Sequence, residues 1–426
     1  MKKKIARYAF LVLALLQGGS VAGQAADLVV GPDESISSLK QALELARPGD
    51  TILLKSGVYQ EGTVLVDKSV QIIGQGFPVL DGEGEYQIMT VTADNVVIRG
   101  IEFRNVGVSF VEDNAAIKLE GVSGARIVEN RFIEAFFGVY LAQSQKTLIE
   151  GNEFYGTGTR EATTGNGIHL WYCKEITIRN NKINGHRDGI YFEFVEDSKV
   201  ERNLSWGNLR YGLHFMFSDR CEYLKNVFRQ NGAGVAVMYT HNMSMHDNLF
   251  EKNWGSAAFG LLLKEITDSY ITNNRFYKNS IGLYTEGSNR LHVRENTFEE
   301  NGWAVKIMAN SMESEFVRNN FINNTFDVAT NSRQNFNTFD SNYWSSYTGY
   351  DLNRDGIGDV PFRPVRLFSY IVEKQQTAMI LSRSFFIDIL DIAERIVPML
   401  TPETLVDAHP RIKKLNVPTG DKENEG

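Results

Sequence analysis

Three side chains with soft-donor chemistry stand in one short stretch: His214, Met216 and Met238. Thioether sulfur favours Cu(I), and an imidazole adds a stronger ligand. Such a site requires all three on one surface, so its existence depends on the fold. Farther on, Asp351, Asn353, Asp355 and Asp359 alternate with other residues around Gly356, and Ile357 is placed to offer its backbone carbonyl. Alternating oxygen donors about a glycine turn suit calcium. An EF-hand would close with a bidentate Glu, and Phe362 stands at that place. A calcium loop of another type and a plain Asx turn therefore both remain open.

The elements that position these residues repeat. Asn followed two residues later by an aromatic or aliphatic residue, with Ser205 after Asn203 as the exception, recurs at Asn130, Asn152, Asn181, Asn203, Asn226, Asn248, Asn274, Asn296 and Asn319. Gly followed by a β-branched residue or Leu recurs in the same register at Gly138, Gly167, Gly189, Gly212, Gly234, Gly260 and Gly282, and Ala304 takes the next place. A unit of about 22 residues, rich in alternating Ile, Val and Phe, is too short for a helical pair. Short strands joined by turns remain, and one coil buries its apolar face only against the next. The fold expected is all-β: a right-handed parallel β-helix.

The register gives each residue a direction. After each Gly, the first and third residues point inward, as do Val139 and Leu141, Ile190 and Phe192, and Leu213 and Phe215. The third residue before each Asn also points inward, Met245 among them, and Met243 belongs to the core as well. The Asn residues are expected in turns as a hydrogen-bonded ladder, and Phe132, Phe154, Phe228, Phe250, Phe276 and Phe298 as a core stack. The fourth residue after Gly points outward, in a column reading Ala142, Trp171, Glu193, Met216, Met238, Lys264, Glu286 and Met308. The second residue after Gly forms the neighbouring column, with His169, Tyr191 and His214. Met216 and Met238 thus lie about one strand spacing apart, with His214 beside them. His246 faces outward and His241 lies in a turn, where either could assist. The gap from Asn to the next Gly lengthens after Asn152 and after Asn248, so two loops bracket these coils. Cys173 and Cys221, two coils apart at about 10 Å, are too distant for a disulfide.

Net charge is −8, which argues against a nucleic-acid partner. Residues 1–26 have the basic, apolar and small-residue pattern of a secretory signal peptide. The β-helix is expected over 27–345, with a capping helix over Ile36–Ala46. The Asp-rich loop and cap follow over 346–368, amphipathic helices over 369–400, and a loose polar tail over 401–426.

Three segments resemble the NosD family of nitrous oxide reductase maturation proteins: Arg187–Ser198, Leu209–Asp219 with its Leu-His-Phe-Met-Phe run, and Asp351–Asp359. The resemblance spans nearly the whole chain. It implies a periplasmic copper protein, not an enzyme. The implied partners are an ABC transporter (permease NosY and ATPase NosF), the copper lipoprotein NosL and apo nitrous oxide reductase.

The residues themselves leave two rivals to a copper role: a bare scaffold or sugar-binding surface, and a polysaccharide-cleaving enzyme. Cleavage calls for two carboxylates close together. The outward column offers Glu193 and Glu286, four coils or about 19 Å apart. The outer Met residues also suit a partner-docking face that binds no metal.

Overall fold

In the computed structural model, described residues are 26–109, 112–255, 258–308, 310–332, 336–381, 384–385, 389–390 and 405–416. The signal peptide expected over 1–26 lies outside them except for its last residue. The chain winds into a right-handed parallel β-helix of about 13 coils with a coil spacing of about 23 residues. Each coil contributes a strand to three parallel sheets. Sheet 1 holds the seven Gly-led strands and their counterparts in the other coils, 12 among the described residues, from Val64–Val66 to Phe326–Thr330. Sheet 2 holds the strand before each Asn, 14 from Asp27–Val30 to Thr338–Asp340. Sheet 3 holds the strand after it, 13 from Val58–Tyr59 to Tyr343–Trp344.

The inward residues named above are all fully buried, Met243 and Met245 included. Phe250, Phe276 and Phe298 stack at 4.7 and 4.6 Å between ring centroids. The stack is interrupted where Ile183 and Ser205 take the aromatic place. Cys173 and Cys221 are buried and free.

The asparagines form the expected ladder. Each donates its backbone N–H and its Nδ2 to the Oδ1 of the next, as Asn203 does to Asn226 at 2.9 and 3.0 Å. Nδ2 also reaches back to a carbonyl of an earlier strand, as from Asn226 to Val200 at 2.9 Å. These bonds satisfy turn groups that the sheet ladders leave over. A second ladder lies at the next turn, between sheets 3 and 1, through Asn208, Asn231, Asn253, Asn279, Asn301 and Asn324.

The ends differ from the sequence expectation. The capping helix runs from Leu39 to Leu45, with the Ser38 hydroxyl accepting from the Gln41 N–H at 3.0 Å. Leu39, Ala42 and Leu43 are buried, whereas Leu45 faces solvent. Ile36 instead bridges to Val30. The tail is not loose over 405–416: Leu405 and Asp407 are fully buried, because this segment pairs with the last coil.

Candidate metal-binding face

Met216 and Met238 are direct register partners on adjacent strands of sheet 1, and both are half-buried. The Tyr191 hydroxyl donates to the Met216 sulfur at 3.5 Å. His214 lies in the neighbouring column, but it is only 4% exposed. Its ring packs on Tyr191 at 5.0 Å and on Tyr211 at 4.7 Å between centroids. Neither ring nitrogen has a hydrogen-bond partner, and Nδ1 stands 3.7 Å from Asp188 Oδ2, beyond hydrogen-bonding distance. The outward direction read from the register is right, but the side chain is covered.

Asp188 and Tyr211 do the covering, and sequence reasoning missed both. Each precedes a sheet 1 glycine and pairs with the other in register. Strict alternation would send them inward. A Cβ at Gly189 would meet Ser205 Oγ at 2.3 Å and Gly212 O at 2.6 Å, so only glycine fits where the chain turns onto the strand. Asp188 is fully buried and takes a forked ion pair from Arg210, with Nε 2.8 Å from Oδ1. Burial works hardest against its charge, yet the Arg210 guanidinium and the neighbouring His214 imidazole together hold the carboxyl below the ordinary range. Farther up the column, Tyr140 and His169 stack at 4.6 Å, and Asn166 Nδ2 lies 3.0 Å from His169 Nδ1. Burial pushes His169 down to about 3, so its imidazole is neutral. Nδ1 then accepts from Asn166, which leaves the proton on Nε2.

Beside the methionines runs an aromatic row that the sequence reading also missed, exposed at Tyr172, Phe217 and Tyr239 and half-buried at Phe194. Tyr172, Phe194, Phe217 and Tyr239 follow one another in successive coils, stacked at 4.5, 5.2 and 5.1 Å. All four have positive φ, a conformation that disfavours bulky side chains. Gln143 and Glu265 fill the same turn position in flanking coils, so the turn itself does not require aromatics.

His246 and His241 do not join the face. His246 lies on sheet 2 between Glu222 at 2.6 Å and Asp247 at 3.2 Å, and His241 pairs with Asp219. Glu286 faces Lys264 at 3.5 Å. His186, fully buried with unpartnered ring nitrogens, lines a cavity of about 140 Å³ beneath the loop that follows Asn152.

In the Asp-rich loop, Asp351 accepts from the Asp355 N–H at 3.2 Å and the Gly356 N–H at 2.9 Å, while Asp359 accepts from the Leu352 N–H at 2.7 Å. Asp355 accepts from the Ile357 N–H at 2.7 Å, and Asn353 from the Asp355 N–H at 3.1 Å. These are Asx turns. Among the described residues, no three His, Cys, Asp or Glu side chains are grouped to hold a metal ion. Thioethers are not among those side chains. The donors at His214, Met216 and Met238 are of the soft kind, and the orphaned imidazole nitrogens of His214 are buried polar atoms in want of a partner.

Fold and face together define a β-solenoid with soft donors on one outer sheet. Residues 155–349 match the family model described as "Periplasmic copper-binding protein (NosD)". A "Probable ABC transporter binding protein NosD" of Pseudomonas aeruginosa is 29% identical over 388 residues, 84% of this chain and 87% of that protein. A protein of the same name from Stutzerimonas stutzeri is 26% identical over 380 residues, 84% and 86% of the two chains. The chain is thus similar to these two NosD proteins over most of its length. Among solved structures, the catalytic unit of a GH87 alpha-1,3-glucanase from Streptomyces thermodiastaticus strain HF3-3 aligns with a TM-score of 0.58 at 16% identity, covering 78% of this chain and 70% of that one. Likeness at that identity concerns the fold alone. No helix among the described residues is long and apolar enough to cross a membrane.

Proposed function

We propose that this chain is a periplasmic, non-enzymatic copper-handling protein. Cu(I) is its cargo, taken up at Met216 and Met238 with His214 as third donor. The observation that carries the reading is the direct pairing of the two thioethers beside a buried imidazole with no hydrogen-bond partner. The family description and the relatives' names support copper and an ABC transporter. On this reading the chain works with the NosY permease, the NosF ATPase and the lipoprotein NosL, and the copper goes to nitrous oxide reductase. Competition titration with a Cu(I) chelator tests the site: Met216→Ala with Met238→Ala is expected to abolish tight binding, and unchanged affinity would remove the site. The exposed aromatic row favours a second reading, in which the same face docks a partner and holds no metal. Lost partner binding with unchanged copper affinity selects it.

The transporter contact falls to the C-terminal apolar segment. Part of it folds back: in the helix Leu367–Lys374, Phe368 and Val372 are buried against Phe326. Beyond the helix, Ile380 is 89% exposed and Phe385 76%. Ile380→Asp with Phe385→Asp in the full chain should abolish co-purification with the permease and leave thermal stability unchanged. Retained co-purification contradicts the assignment. Truncation after Phe368 is the poorer test, because it also removes the buried Asp407.

The Asp351–Asp359 loop is assigned a structural calcium ion held by Asp351, Asn353, Asp355, Asp359 and the Ile357 carbonyl. Millimolar calcium should raise the melting temperature relative to chelator by mass action. An unchanged melting temperature leaves the loop as Asx turns alone.

A further inference from the structure

The Asn ladder has a direction. Every rung points its N–H groups at the next coil, from Asn130 down to Asn342, so the last rung presents unpaired donors unless something accepts them. Asp407 accepts them, 65 residues farther along the chain. Its Oδ2 takes the Asn342 N–H and Nδ2, both at 3.0 Å, and the Trp344 Nε1 at 2.9 Å. Its Oδ1 takes the Ser341 N–H and the His409 N–H, both at 3.1 Å. A carboxylate suits this place better than an amide, because both of its oxygens accept.

The segment around Asp407 imitates a further coil. Phe339 bridges Asp407 and Tyr343 bridges Arg411 in parallel, as strands of successive coils do. The Arg411 N–H donates to the Asn342 carbonyl at 2.8 Å. Leu415 and the Asn320 amide exchange two hydrogen bonds, at 2.9 and 3.1 Å. On its other side the segment pairs antiparallel with Phe362 and Ile357. Leu405, at its start, is fully buried in the solenoid core.

We infer that residues 405–416 are a clasp: a substitute coil, terminated by Asp407, that closes the solenoid end and pins the apolar arm between Leu367 and Leu405. The arm's near end is held by Phe368 and Val372, and its far end by the clasp. Tethering a chain at both ends removes part of its freedom, by an amount that grows only slowly with its length, and Ile380 and Phe385 lie within the tethered span.

Hydrogen exchange on the full chain tests this with Asp407→Asn. The substitution keeps one acceptor but turns an NH2 group toward N–H donors. Exchange should quicken roughly tenfold or more over 336–346, 405–416 and 367–381 together, as expected when buried charge-assisted hydrogen bonds are lost locally. Coils 130–300 should exchange as in wild type. Faster exchange in the clasp with an unchanged arm would show that the clasp does not pin it. No change anywhere would show that Asp407 does not terminate the ladder. Should Asp407→Asn fail to fold, Asn320→Ala, which removes the Leu415 pairing and one hydrogen bond to the Thr297 hydroxyl at 3.3 Å, must give the same regional pattern more weakly, and a uniform response along the solenoid would overturn the inference.

Discussion

Asn226→Ala is expected to lower the unfolding free energy by roughly 3–9 kcal/mol, at about 1–3 kcal/mol for each of the three buried groups that lose a partner. Asn226 is buried in the middle of the ladder. Its Oδ1 accepts from the Asn203 N–H and Nδ2, and its Nδ2 donates to the Val200 carbonyl and to Asn248 Oδ1. Alanine removes all four bonds. Asn203 loses the acceptor for two donors, and the Val200 carbonyl loses the Asn226 Nδ2. Asn248 Oδ1 keeps the Asn226 backbone N–H at 3.0 Å, so the break acts mainly toward the preceding coils. Aligned amides polarise one another, which adds to the loss. Urea unfolding measures it, with Lys225→Ala, in the neighbouring exposed turn position, as the control expected to change little. A loss below about 1 kcal/mol would mean that water replaces the rung and that the ladder is not a main support of the solenoid.

Much of this architecture is legible because a solenoid repeats its chemistry. Asn and Gly recur in one register, so the inward row from Ile127 to Val293 and the Phe stack follow from the sequence alone. The second Asn ladder was legible too. Asn208, Asn231, Asn253, Asn279, Asn301 and Asn324 each follow a first-ladder member by five residues, a pattern open to inspection but not read. Other features leave no periodic trace. Asp188 and Tyr211 turn outward because the chain bends onto the strand at a glycine that the next coil's backbone crowds, so strict alternation misplaces them. Asp407 occurs once, far from the repeat, and its role emerges only when the last rung is seen to need an acceptor. The candidate site was therefore half legible. The pairing of Met216 with Met238 follows from the register, whereas the burial of His214 depends on Tyr191, Tyr211 and Asp188 around it.

Copper binding puts the central proposal to its hardest test. Met216 and Met238 are the two neighbouring outward thioethers, while Met243 and Met245 are fully buried in the core. Removing both outward sulfurs takes away the ligands that distinguish Cu(I) from harder ions and leaves His214 to bind alone. The most direct measurement is a Cu(I) competition titration of wild type, Met216→Ala with Met238→Ala, and Met243→Leu, paired with X-ray absorption at the copper edge. The double variant should bind at least about 100-fold more weakly, more than the loss typical of removing a second-shell partner. Its copper should lose the sulfur scattering that wild type and Met243→Leu retain. Equal affinity in all three proteins, or a wild-type copper site with only nitrogen and oxygen neighbours, would contradict the proposal.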